Sequence, residues 1–260
     1  MVMQRDFISK LTVLPDKTAL DRAAARLVRT AAARSASAEG RFTLALSGGA
    51  TPRAAHRLLA EPSISPAIPW DRTLVFWVDE RCVPPDDPAS NYGAALEDLI
   101  GRVPLPEKNV FPMPGTEDPV SGAVAYEALL ARTFASQDGL IPRFDLILLG
   151  IGKDGHTASL FPGDPALDEG VRTVVPVRGG IPDVPRLTLT LPVLNRAFQA
   201  VFLVSGREKA PTVKAVLEHP EGPLPASRVR GNVAWLLDAE AASDLEVPER
   251  EKEKEVEGDR

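Results

Sequence analysis

Asp154 and His156 stand two residues apart in a loop bordered by Gly150, Gly152 and Gly155, directly after the apolar run "FDLILL". Imidazole titrates near neutrality, so His156 has the chemistry of a general base, and a carboxylate as close as Asp154 can hold its tautomer and raise its basicity. A structural histidine is the alternative; the strand-end position favours the base. The same glycines spell G-x-G-x-x-G, a fingerprint in which the backbone turns to approach a pyrophosphate. The following residues argue against a dinucleotide: Pro162 and Gly163 interrupt the next segment, and "TVVPV" ends in Arg178 and Gly179 with no carboxylate to hold a ribose.

Three further clusters share this setting. Ser47-Gly48-Gly49 leads into Thr51 and Pro52, read as the N-cap and first residue of a helix. Glycine amides and a helix dipole suit a phosphate, and an ordinary tight turn fits the same residues equally well. Asp79-Glu80-Arg81 follows "VFWV". There Arg81 could bind an anion or stabilise an oxyanion, with the two acids orienting it; a solvated, salt-bridged turn is the alternative. Lys209, with Arg207 beside it, lies near the start of another helix, where cations oppose the dipole unless an anion is present. Glu208 and a solvated face offer a plainer account. His56 and His219 have no partner at metal-ligand spacing, so no metal site is expected.

These clusters require strands whose ends converge. Leu20, Ala24, Leu27, Val28 and Ala31 recur at helical spacing over residues 18–38. "RFTLAL", "TLVFWVDER", "FDLILLGIG", "AVFLV" and "VAWLLD" read as strands, with helices at "TPRAAHRLLAE", "YGAALEDLIG" and "REKAPTVKAVLE". Continuous apolar strands alternating with helices imply an open, mainly parallel α/β sheet with helices on both faces. "LTLTLPVL" alternates Leu and Thr and reads as an edge or antiparallel strand. In such sheets ligands bind outside the carboxyl ends of the strands, where all four clusters fall. A single domain is expected over residues 1–245, and "EVPEREKEKEVEGDR", residues 246–260, reads as a charged, disordered tail.

Composition narrows the function class. Among 260 residues with a net charge of −6, no block of Lys and Arg stands out as a nucleic-acid footprint. No run approaches the ~20 apolar residues of a membrane span, and the N-terminal stretch lacks the apolar centre of a signal peptide. Cys82 is the only cysteine, which excludes an intramolecular disulfide and points to a reducing compartment. A cytoplasmic enzyme is expected, monomeric or homodimeric, with neither nucleic acid nor membrane as a partner.

"LALSGGATP", "FWVDERCVPPDDPASNYG", "LLGIGKDGHTASLFPG", "RLTLTLPVLN" and "SGREKAPTVKAVL", in this order, resemble the lactonase branch of the glucosamine-6-phosphate isomerase/6-phosphogluconolactonase family. The likeness covers most of residues 40 to 220. Arg81 and "TASLFP" favour the lactonase branch over the deaminase branch, which carries an aromatic residue after Asp-Glu. The resemblance implies a modified Rossmann-like fold and hydrolysis of 6-phospho-D-glucono-1,5-lactone in the pentose phosphate pathway without a cofactor. It assigns His156, oriented by Asp154, to activating water, and Arg81 to the developing negative oxygen or to holding the substrate. Ser47, Gly48, Gly49, Thr51 and Lys209 would bind the 6-phosphate, while Asn91 and Arg186 would contact the sugar or support the pocket. A glucosamine-6-phosphate deaminase and a non-catalytic sugar-phosphate sensor are the alternatives.

Overall fold

The computed structural model describes residues 11–135 and 141–246. Apart from Glu246, the expected charged tail lies outside the described residues. The described residues begin with β1 (Leu11–Leu14), α1 (Lys17–Glu39), β2 (Phe42–Leu46), α2 (Ala50–Leu59) and β3 (Thr73–Trp77). It continues through β4 (Asp79–Arg81), α3 (Asn91–Asp98), β5 (Val110–Phe111), α4 (Pro119–Thr133) and β6 (Leu146–Leu149). Then come β7 (Val174–Gly179), β8 (Val184–Leu189), α5 (Leu191–Arg196), β9 (Ala200–Val204), α6 (Ala210–Glu218) and β10 (Val233–Asp238).

Seven strands form a parallel sheet in the order β1-β10-β9-β6-β2-β3-β5. β2, β6 and β9 are buried at every residue, which is why each reads as an unbroken apolar run. The chain builds outward from β2 to β3 on one side and from β6 through β9 to β10 on the other. The switch point therefore lies between β2 and β6, where a ligand crevice is expected.

Helix boundaries follow local chemistry. Asp16 accepts from the Ala19 amide at 2.8 Å to cap α1, and Gly40, at φ 76°, ends it in the left-handed region that glycine enters freely. α2 starts two residues earlier than expected: Gly49, not Thr51, is the N-cap, with φ 95° and no side-chain cap.

A second correction concerns Asp79-Glu80-Arg81. β3 stops at Trp77, and these three residues form β4 in a separate three-stranded sheet of order β4-β8-β7. Val78 is the joint, since its amide donates to Leu46 of the large sheet and its carbonyl accepts from Leu189 of the small one. β8, read as edge or antiparallel, is antiparallel to both neighbours and central between them. β1, β5 and α4 were not anticipated. Among the described residues no helix is long and apolar enough to cross a membrane.

Candidate active site

The loops after β2, β6 and β9, together with β4 and β8, enclose a cleft of ≈ 560 Å³. Ser47, Gly48, Gly49, Thr51, Arg81, Asn91, His156, Arg186 and Lys209 all line it; Asp154 stands behind His156. Each of these residues was singled out from the sequence, and the structure gives several of them partners other than those expected.

The loop after β6 is wound tightly on itself. Gly152 donates to the His156 carbonyl at 2.8 Å, and Gly155 donates to the Gly152 carbonyl at 3.0 Å with φ 81°. This winding sets His156 Nδ1 2.6 Å from Asp154 Oδ1. In the tautomer whose Nδ1–H donates to the carboxylate, Nε2 is left as the acceptor a general base requires. Burial alone would raise the Asp154 carboxyl, but the His156 amide and imidazole outweigh it and hold the group below its ordinary value. Ala158, in the same loop, adopts φ 51°, a left-handed conformation that strains an alanine. It is clamped from both sides, by Thr157 Oγ1 donating to the Gly150 carbonyl at 2.9 Å and by Ser159 Oγ donating to Asp79 Oδ2 at 2.6 Å.

The turn after β2 has the form of an anion cradle. The first amides of α2 have no capping side chain, so the helix N-terminus is open to an anion. Ser47 Oγ donates to the Leu148 carbonyl at 2.8 Å, tying the turn to β6 and committing its proton. Gly48 is required by close approach, because a Cβ there would overlap Asn91 Oδ1. Asn91 is itself fixed by donating to the Asp79 carbonyl at 2.9 Å, so it braces the cradle from behind. Lys209 closes the opposite side and donates to the Ile151 carbonyl at 2.9 Å. Burial lowers the pKa of its ammonium, partly offset by Glu208. Arg207, read as a companion to Lys209, is not part of the site; it forms an ion pair with Asp244 at 2.7 Å.

Asp79 and Glu80 do not orient the Arg81 guanidinium. Glu80 accepts from the amides of Arg81 and Asn91 at 2.7 Å and of Tyr92 at 2.6 Å, so it organises the start of α3. Burial raises its carboxyl above the usual range, and those amides oppose the shift. Because both oxygens face N–H donors, Glu80→Gln would turn an amide NH₂ toward one of them. We expect a loss of about 1–3 kcal/mol, the penalty for a buried donor without an acceptor, read as a lower denaturant midpoint. An unchanged midpoint would refute this account of Glu80.

The Arg81 guanidinium instead donates to the Ala89 carbonyl at 2.6 Å, and its Nε is buried without a partner. Arg186, only 3% exposed, donates to the Gly179 carbonyl at 2.7 Å and lies 5.6 Å over the Phe161 ring. Burial and neighbouring Arg81 both lower its pKa. Among the described residues neither arginine forms a close ion pair, although Asp79, Glu80 and Asp183 act on Arg186 at longer range.

Sequence reasoning missed Lys17 at the cleft rim and the Ser205-Gly206 turn, which is held by the Asp238 carboxylate at the end of β10. Asp238 was findable, since it follows the apolar run "VAWLL" as an acidic strand end. Lys17 carried no signal, because β1 before it was not read as a strand.

An uncapped helix start, a carboxylate-supported imidazole and two arginines share one cleft at the switch point of this α/β sheet. The chain matches the family described as glucosamine-6-phosphate isomerases/6-phosphogluconolactonase over residues 15–236, and it belongs to that family. Among its relatives, a Synechocystis 6-phosphogluconolactonase is 41% identical over 241 residues, covering 91% of this chain and 98% of that protein. A Homo sapiens 6-phosphogluconolactonase is 41% identical over 249 residues, covering 92% and 94%. The crystal structure of a Thermotoga maritima 6-phosphogluconolactonase superposes with a TM-score of 0.76 at 31% identity, covering 88% of this chain and 98% of that one.

Proposed function

We propose that the chain hydrolyses 6-phospho-D-glucono-1,5-lactone to 6-phospho-D-gluconate, the lactone step of the oxidative pentose phosphate pathway. One observation carries the mechanism: the Asp154–His156 pair and the open N-terminus of α2 share a single cleft, so one small molecule can present an ester to the first and a phosphate to the second.

His156 Nε2 takes a proton from water as the water oxygen attacks the lactone carbonyl. Asp154 stabilises the imidazolium, and Arg81 stabilises the oxygen on which charge develops. When the tetrahedral intermediate collapses, the bond from C1 to the ring oxygen breaks and the imidazolium returns its proton to that oxygen. The new carboxylic acid ionises into solvent. A lactone is an activated ester, so positioning and charge stabilisation suffice and no cofactor enters the scheme. The amides from Gly48 to Thr51, with Lys209, hold the 6-phosphate; Ser47 and Asn91 shape the cradle, and Arg186 neighbours the sugar. The enzyme acts in the cytoplasm as a monomer or homodimer, with no nucleic acid or membrane partner.

The test is acid release from freshly generated 6-phosphogluconolactone, corrected for spontaneous opening. An enzyme-dependent rate supports the reading. No rate above background, with ammonia released from glucosamine 6-phosphate, would transfer the chain to the deaminase branch.

A further inference from the structure

The segment leading into α6 grips the base loop at two points. Lys209 Nζ donates to the Ile151 carbonyl at 2.9 Å, and Thr212 Oγ1 donates to the Lys153 carbonyl at 2.7 Å. These carbonyls bracket Gly152, whose Cα faces both the His156 imidazole and the Asp154 carboxylate so closely that a Cβ would overlap them. The backbone carrying Lys209 is anchored in turn. Its amide donates to the Gly206 carbonyl at 3.0 Å, and the Gly206 amide donates to Asp238 at 3.1 Å.

The lysine therefore lies between two parts of the site. Its ammonium has three protons; the Ile151 carbonyl takes one, leaving others for an anion in the cradle that Lys209 lines with Gly48 and Gly49. Burial disfavours the charge where it stands, so a bound anion relieves a cost already present. The lysine stem is long and rotamer-rich, and an ammonium held by a carbonyl alone keeps freedom that a second, charged partner removes.

We propose that Lys209 is a positioning residue for the base as well as a phosphate contact: phosphate in the cradle locks its ammonium, and through the Ile151 carbonyl this fixes the loop carrying Asp154 and His156. The phosphate then contributes to kcat as well as to binding, because its occupancy is read by the base loop. The inference rests on the lactonase reading above.

Inorganic phosphate supplied separately from the lactone tests it. Turnover of unphosphorylated 1,5-gluconolactone is measured with the wild-type enzyme across phosphate concentrations, subtracting the enzyme-free rate at each one. A saturable rise of at least about fivefold is expected, the lower end of ordinary coupling between two sites. Lys209→Met, which keeps the stem without the charge, is expected to lack the rise. Thr212→Val is expected to lower the phosphate-stimulated rate while leaving the half-saturating phosphate concentration in place, a split that general loss of fold would not produce. If the enzyme turns over the 6-phospholactone but phosphate leaves the unphosphorylated lactone unaffected or inhibits it, the coupling is overturned and the lactonase reading stands. An enzyme inactive on the 6-phospholactone would overturn both.

Discussion

Replacing His156 with alanine is expected to lower kcat on 6-phosphogluconolactone by roughly 10²–10⁴-fold, the usual contribution of a general base, with little change in KM. The small effect on KM follows from the proposed roles, which give the phosphate to the turn after β2 and to Lys209 rather than to His156. The large effect on kcat follows from the 2.6 Å contact with Asp154, which gives this imidazole a stabilising partner once protonated. Residual turnover above the spontaneous rate should persist if, as proposed, Arg81 and the phosphate cradle position the lactone. A kcat within about twofold of wild type would remove His156 from the mechanism.

Gly152→Ala should rival that loss without touching a reacting group. The added methyl would occupy space now filled by His156 Nδ1 and Asp154 Oδ1, so both must swing away. Their side chains are 32% and 52% exposed, and they can move toward solvent with little strain on the core. The expected result is a kcat lower by about 10²-fold, the scale on which a 1 Å misplacement of a catalytic group acts, with a thermal midpoint near that of wild type. Full activity in this variant would show that the imidazole does not need the place it holds here. Collapse of the midpoint together with kcat would trace the effect to folding.

How much of this site could be read in advance depended on where each residue sits relative to an apolar run. His156, Arg81 and Ser47 follow strands or enter the next one, and unbroken apolar runs such as "LALS" and "LILLG" mark those ends plainly. Lys209 and Arg207 looked equivalent at two residues' separation; only the fold turns one into the cleft and the other toward Asp244. Asp79 and Glu80 were misread because their partners are distant or main-chain: Ser159 for the first, the amides opening α3 for the second. α4 escaped notice although Asp118 and Pro119 mark its start, since Val120 and Val124 are exposed and blur its apolar stripe. β1 is four half-buried residues, too short to declare itself.

The pairing of β1 with β10 places Leu11 opposite Trp235, more than two hundred residues downstream, and among the described residues β10 is the only neighbour β1 has in the sheet. At ordinary rates of synthesis, about 5–20 residues per second, β1 leaves the ribosome roughly ten seconds or more before its partner. β2 and β3, joined through one helix, can pair long before that. Birth order and sheet order therefore conflict at this edge: a strand made early is among the last to be seated. Until then α1, with Arg22, Arg26 and Arg29 among its alanines, must keep the nascent N-terminal region in solution unaided by its final sheet neighbour.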